Sequence, residues 1–300
     1  MNGVMAGVDA SVVIPSRNEG GYLAYTVHWV LAHSAGLEFE IIVVDDGSTD
    51  DSIRQVQHQY GHDGRVRVVH GERQGPGCAR NHGARHARGR YVVFVDGHCY
   101  TPPGWLNELV EPLSDPNVAL VGCGFADLSR PDRGAGVGCT WGTSALDMVW
   151  LAKQSDDVYP VPLLPGGCQA LRTDDFLSFG EYDRGMRHIG SEGEEQSLRC
   201  WLMGYEVVVQ PKVVLHHLFR DKPPYAVMPG ELIYNRLRLA LIHFNMTRVA
   251  RVMDALKFAP SFSANVLSLV DSDAMEQRAA WQRKRARDDD WFFQRFSIPV

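Results

Sequence analysis

Along the N-terminal third of the chain, apolar positions fall into short runs, and each run stops at a cluster of polar side chains. Ser11 to Pro15, Glu40 to Val44, Arg65 to His70 and Tyr91 to Val95 are rich in β-branched residues and too short for independent helices, so they read as buried strands. Between them, Tyr22 to Ala35 carries Leu23, Val27, Val30 and Leu31 at helical spacing, Gly47 to Asp51 caps a helix to about Tyr60, and Gly75 to Arg88 is glycine-led and then helical. Strand and helix alternating in this way predict an α/β fold, a mostly parallel sheet flanked by helices, with ligands at the carboxyl ends of the strands. The polar clusters lie at those ends.

Farther on, the pattern is less regular. A helix is predicted from Pro102 to about Leu113 and a strand over Val118 to Val121, while the glycine, arginine and proline of Ser129 to Gly142 suggest a mobile connection. The fold resumes at Pro165 to Leu171, with a short helix around Phe176 and Phe179, a turn at Gly180 to Asp183, a helix over Gln196 to Met203, and strands at Glu206 to Val209 and Val213 to Leu218. Residues 1–240 read as the α/β domain and 241–300 as a helical extension, helical at Ala250 to Phe258 and Asp271 to Arg287. The run Gln282 to Asp290 is a solvated face of mixed sign. Trp291 to Phe296 reads most simply as aromatic packing on the same chain, with an oligomer contact, an acceptor wall or a membrane-surface anchor as alternatives.

The chemistry concentrates where the fourth strand ends, at Asp96-Gly97-His98. Two residues apart on an extended backbone, Asp96 and His98 point the same way, and Gly97 lets the main chain come close to a bound group. One carboxylate and one imidazole suit Mn²⁺ or a similar divalent ion, with open positions left for a diphosphate. The Gly75 to Asn81 stretch lacks the third glycine of a dinucleotide fingerprint, since Arg80 stands there; it reads as a loop opening a helix, with Arg80 available to a phosphate. Gly190 to Glu195 crowds carboxylates before a helix, as capping or as the floor of a sugar site. Taken alone, His217 in its apolar strand reads as a structural histidine.

Composition narrows the class. With 300 residues and 45% hydrophobic content the chain can build one large domain, or one plus a small appendage. A net charge of −6 and a pI of 6.0 exclude the clustered basic excess of a nucleic-acid binder. The six cysteines are widely spaced and read as free thiols in a reducing compartment. Met1 to Ala10 shows no secretory signal, and no apolar stretch is long enough to span a bilayer, so a soluble, cytoplasmic protein is expected.

Together, Pro15-Ser16-Arg17-Asn18-Glu19, Val44-Asp45-Asp46-Gly47-Ser48 and Asp96-Gly97-His98 resemble the donor-site motifs of nucleotide-sugar glycosyltransferases of the GT-A (Rossmann-like) fold, family 2 among them. The Asp-x-His form is similar to that of polypeptide N-acetylgalactosaminyltransferases (family 27). Gly166-Gly167, Gly180 to Met186, Gly190 to Gly193, Val214 to Arg220, Pro224-Tyr225 and Asn235-Arg236 follow in that family's order. The resemblance covers about residues 11 to 240.

It implies a metal-dependent transfer of a sugar from a UDP-sugar, with UDP-N-acetylhexosamines among the candidate donors, to a hydroxyl of a peptide or small-molecule acceptor. Asp96, His98 and His217 would then hold Mn²⁺ (or Mg²⁺), and Asp45 or Asp46 would contact the uracil. Pro15, Arg17, Glu19, Arg80, Gly97 and Gly167 would line the donor site, with Arg220 and Tyr225 on a loop, Phe219 to Gly230, that closes over the diphosphate. Glu192 would lie near the transferred sugar. Where the family has Trp-Gly-Gly-Glu-Asn, this chain has Ile189-Gly190-Ser191-Glu192-Gly193, which changes the sugar contacts; neither the family's lectin domain nor its membrane anchor is recognised. Gly193 also stands where inverting relatives carry a carboxylate base. That leaves retention, which the resemblance favours, or inversion with Glu192 or Glu194 as a displaced base. Rival readings are an inverting family 2 transferase acting on a polysaccharide or natural product, a sugar nucleotidyltransferase, and a non-catalytic nucleotide-sugar sensor.

Overall fold

A computed structural model of the chain describes residues 7–130, 132–228 and 230–300. The N-terminal expectation therefore lies partly outside the described residues, as does Pro229 of the expected closing loop. The elements run β1 Ala10–Ser16, α1 Gly21–His33, β2 Phe39–Asp45, α2 Ser52–Tyr60, β3 Val66–His70, α3 Pro76–Arg85, β4 Tyr91–Val95, β5 Cys99–Tyr100 and α4 Trp105–Val110. They continue as β6 Val118–Asp127, β7 Gly136–Val137, β8 Cys139–Trp141, β9 Met148–Trp150, β10 Tyr159–Pro160, β11 Cys168–Arg172, α5 Thr173–Ser178, α6 Glu192–Leu202 and β12 Glu206–His217. Five helices close the chain: α7 Glu231–His243, α8 Met246–Leu256, α9 Phe262–Val270, α10 Ala274–Lys284 and α11 Asp289–Arg295.

The main path of the sheet is β10-β12-β6-β11-β4-β1-β2-β3. β3, β2, β1 and β4 are mutually parallel, as the alternating pattern predicts. β11 then runs antiparallel between β4 and β6, and β12 pairs parallel with β6, so the second half of the sheet is mixed. Because β11 reverses direction on both sides, the carboxyl ends of β4, β6 and β12 share one edge with those of β1 and β2. Residues of alternating parity face opposite layers: Val12 and Ile14 pack with α1, α2 and α4, whereas Val13 packs with α3, α6 and the C-terminal helices.

Three expectations need correction. Ser129 to Gly142 is not a loose connection in its described residues. Val137, Cys139 and Trp141 alternate inward and are buried at β7 and β8, a period-two signal masked by the glycine and arginine around it. The two strands expected at Glu206 to Val209 and Val213 to Leu218 are one strand with a bulge between Gln210 and Val214. The helix expected from Gln196 begins at Glu192, its acids occupying the first turn where the helix dipole favours them.

Helix α7 crosses residue 240, and Arg238, with no exposed side-chain surface, donates to Asp183 at 2.6 and 2.8 Å and pairs with Asp273 at 2.8 Å. Phe292 and Phe293 are buried and pack with Trp141, and Trp201 lies 5.0 Å from the ring of Phe296. Phe292 and Phe293 are thus occupied within their own chain, while Trp291 and Phe296 are half-buried at its surface. Truncating Phe292 removes a ring from the core shared by β8, α6 and α11. Phe292→Ala is expected to lower the unfolding free energy by about 3–5 kcal/mol, read by denaturant titration; an unchanged midpoint would show that the extension packs independently.

Candidate active site

The register of the sheet explains why residues far apart in sequence meet. β5, just after Asp96-Gly97-His98, pairs antiparallel with the end of β12, matching Cys99 to His217 and Tyr100 to His216. The amide of Leu218 donates to the carbonyl of His98 at 3.1 Å, and the amide of Asp96 donates to the carbonyl of Gly167 at 3.0 Å. These contacts bring one ligand atom each from Asp96, His98 and His217 within 4.8 Å of one another. The imidazole rings of His98 and His217 stand 4.5 Å apart, and His217 Nε2 lies 3.4 Å from Asp96 Oδ2. A neutral imidazole directing a lone pair at a carboxylate is repulsive unless a proton or a cation lies between, so this donor set fits a divalent ion. Glu19 Oε2, 3.1 Å from His98 Nδ1, selects the tautomer that frees Nε2 as a ligand.

On the other side of Asp96 lies Arg80, only 2% exposed. Its guanidinium donates to Asp96 Oδ1 at 2.7 Å and to Glu192 Oε1 at 3.0 Å, with Tyr182 beneath it at 5.6 Å. Burial works against ionisation of Asp96, but Arg80 and the contact with His217 hold its carboxyl well below the usual carboxylate range. Glu192 also accepts from the Gly190 amide at 2.9 Å, which fixes its direction at the start of α6.

A cleft of about 660 Å³ opens over these groups. Pro15, Arg17, Glu19, Asp46, Arg80, Asp96, Gly97, His98, Gly167, Glu192, Glu194, His217, Arg220 and Tyr225 all line it. Asp45 does not. It accepts from the Ser48 amide at 2.8 Å and faces His70 at 3.2 Å, whereas Asp46, buried and pushed up by that burial, accepts from the Gln74 and Gly75 amides in the cleft wall. The geometry therefore separates the two aspartates that the sequence leaves equivalent. A Cβ on Gly97 would press on Glu19 Cγ at 3.1 Å, which accounts for glycine between the two ligands. Arg220 donates to Glu19 at 2.6 Å, and Arg17 sits 5.0 Å over the Tyr225 ring, so the stretch from Arg220 to Tyr225 rests on the cleft wall. Burial pushes the Tyr225 hydroxyl up to about 12. A larger cleft, about 1080 Å³, adjoins behind the contact of Gly75 with His188, but it contains none of the converging ligands.

Trp141 is the residue the sequence reading passed over. Its indole N–H donates to Glu194 Oε2 at 2.6 Å from within the segment read as a connection. Arg236 and Met148 also line the cleft, Arg236 pairing with Asp147 at 2.8 Å.

With this geometry established, the comparisons with known proteins fall into place. Residues 11–137 match the model for glycosyl transferase family 2. Probable N-acetylgalactosaminyltransferase 8 of Caenorhabditis elegans is 33% identical over 222 residues, 67% of this chain and 52% of that protein. Polypeptide N-acetylgalactosaminyltransferase 11 of Xenopus tropicalis is 33% identical over 255 residues, 77% of this chain and 42% of its own length. The chain thus spans about half the length of the curated relatives it matches. Among solved structures, GalNAc-T7 with UDP, GalNAc and Mn²⁺ superposes with a TM-score of 0.79 at 21% identity, covering 97% of this chain and 57% of that one. The fold is that of GT-A glycosyltransferases. The chain carries a glycosyl transferase family 2 domain and is close to the catalytic domains of polypeptide N-acetylgalactosaminyltransferases.

Gly193 has no room for a side chain here. A Cβ would lie 2.5 Å from the Gly166 amide nitrogen and 2.7 Å from Gly166 Cα, both backbone atoms. Gly193→Ala is expected to cost about 1–3 kcal/mol through this overpacking, measured as a fall in thermal midpoint; an unaltered midpoint would mean that the Gly166 loop yields freely.

Proposed function

We propose that this chain is a nucleotide-sugar-dependent hexosyltransferase that works with a divalent cation, Mn²⁺ or Mg²⁺, and moves a sugar from a UDP-sugar to a hydroxyl of an acceptor. The observation that carries this reading is the convergence of Asp96, His98 and His217 at the floor of a cleft whose other walls present Arg80 and Arg220. The family 2 domain supports it, as do the relatives' names and the UDP and Mn²⁺ of GalNAc-T7.

In this reading the Asp-x-His motif and His217 hold the cation, and Asp46 receives the uracil. Pro15, Arg17, Glu19, Gly97 and Gly167 shape the donor wall. A cation bound there supplies positive charge to the diphosphate as the anomeric bond breaks. Arg80 keeps Asp96 and Glu192 oriented, and Glu192 faces the sugar. The loop bearing Arg220, Pro223, Pro224 and Tyr225 closes over the diphosphate and excludes water, with Arg220 exchanging Glu19 for phosphate oxygens. A UDP-N-acetylhexosamine is the favoured donor, and a peptide or small molecule the acceptor. Ile189, Ser191 and Gly193, in place of the family's Trp, Gly and Asn, set its sugar contacts apart. No helix among the described residues is long and apolar enough to cross a membrane. The six free cysteines, five of them buried, favour a reducing, cytoplasmic setting. Residues 1–240 carry the transfer chemistry, and 241–300 brace it from beneath α6.

Melting the protein with UDP, UDP-, GDP- and dTDP-sugars, with and without Mn²⁺, tests the reading. At ligand concentrations of about 100 Kd, UDP with Mn²⁺ should add roughly 2.7 kcal/mol of stability, and His217→Ala should remove the metal-dependent part. Equal stabilisation by UDP in chelator and in Mn²⁺ would overturn the metal site. Limited proteolysis reports the loop: cleavage between Phe219 and Gly230 should slow when UDP and Mn²⁺ are present, and unchanged cleavage would contradict closure.

A further inference from the structure

Helix α3 serves the candidate active site at one end and carries an unassigned pair of imidazoles at the other. Its N-terminal half delivers Arg80 to Asp96 and Glu192. Its last turn holds His82, and His86 is the residue that caps it. Four residues apart, the two side chains lie one above the other on the same face. Their rings meet edge to face, with centroids 4.7 Å apart. His86 is exposed, and His82 is half-buried in the wall of the cleft of about 1080 Å³. Neither lines the cleft that holds Asp96, His98 and His217.

The pair is prepared for a cation by its hydrogen bonding. His86 Nδ1 lies 2.9 Å from the His82 carbonyl oxygen, and only a protonated ring nitrogen can bond there, so Nδ1 carries the hydrogen and Nε2 keeps its lone pair. The same bond caps the helix end, but a cap needs one imidazole and not two. Burial, reinforced by the charges of His86 and Arg85, lowers the pKa of His82 and favours its neutral, ligating form, with Glu72 acting the other way. The arginines around the pair are matched by carboxylates: Arg85 pairs with Glu181, and Arg67 and Arg88 pair with Glu40 at 2.9 and 2.8 Å.

We propose that His82 and His86 bind a second divalent ion, of the imidazole-preferring class that includes Zn²⁺ and Cu²⁺, at the C-terminal end of α3. Two histidines at this spacing on one face are the pair that helix-borne zinc sites use, and imidazole selects these ions over Mg²⁺. Among the described residues, only Asp96, His98 and His217 bring three ligand atoms within 4.8 Å of one another, so the α3 pair is a two-ligand site with its remaining positions open. Glu72 is the carboxylate placed to enter one of them. Its charge acts on His82, it lines the same cleft, and its Oε2 accepts from Gln74 Nε2 at 3.1 Å, which leaves Oε1 for an ion. Entry of Glu72 ties the end of α3 to the turn before it, whose Gln74 and Gly75 amides hold Asp46. The ion's role is structural: it braces the cleft wall and takes no part in the transfer.

The His217→Ala variant separates this site from the candidate active site. The full chain carrying it is titrated with Zn²⁺ by calorimetry and with Cu²⁺ by electron paramagnetic resonance. It should keep one equivalent of either ion, with Cu²⁺ coupled to nitrogens of two imidazoles, and excess Mg²⁺ should leave the ion bound. Adding His86→Ala should abolish that equivalent. In the otherwise native chain, His86→Ala should leave stabilisation by UDP with Mn²⁺ unchanged, which shows that the exposed substitution does not disturb the fold. Glu72→Ala should weaken Zn²⁺ binding without abolishing it, and equal binding would strike Glu72 from the site. A His217→Ala chain that binds neither ion, an ion that persists after His86 is also replaced, or displacement by Mg²⁺ overturns the proposal. None of these outcomes bears on the transferase reading.

Discussion

The site depends on one buried guanidinium. Taking Arg80 out of water costs several kcal/mol unless its charge is met, and here two carboxylates meet it from different parts of the fold: Asp96 from the end of β4 and Glu192 from the start of α6. Remove either acid and the cation is left half-paired in a dry interior; remove the cation and two carboxylates face each other. The pairing therefore locks the Asp96-Gly97-His98 turn to the start of α6.

That bridge works because the sheet changes direction once. Four parallel strands deliver Asp46 and Asp96 to one edge, and the antiparallel β11 then lets β6 and β12 return parallel, so His217 arrives at the same edge 121 residues after Asp96. Glu19 extends the linkage outward: one carboxylate contacts both His98 of the candidate cation cluster and Arg220 of the segment after β12. Loop position and ligand orientation are thereby coupled through a single side chain.

Much of this was legible in the sequence, for physical reasons. Buried parallel strands are continuous β-branched runs, so β1, β2 and β4 and the acids at their ends stood out; β3, also read as buried, is the half-exposed edge strand. Two candidate ligands separated by one glycine also declare themselves locally. His217 did not, because its place beside them comes from the pairing of β5 with β12, and only the family resemblance brought it in. Asp45 and Asp46 could not be told apart until the turn was built, since neighbouring residues at a strand end point in opposite directions. Trp141 was missed because glycine and arginine around it outweighed a three-residue alternation too short to register. Helices α7 and α9 were not anticipated either: their apolar faces make sense only against the partners that cover them.

The central claim is that Asp96, His98 and His217 grip one cation beside a diphosphate. Pulsed electron paramagnetic resonance of the protein with Mn²⁺ and UDP reads the ligands directly. The account predicts hyperfine coupling to nitrogens of two imidazoles and to phosphorus, with one nitrogen coupling lost in His217→Ala. A manganese signal coupled to phosphorus but to no histidine nitrogen would contradict it.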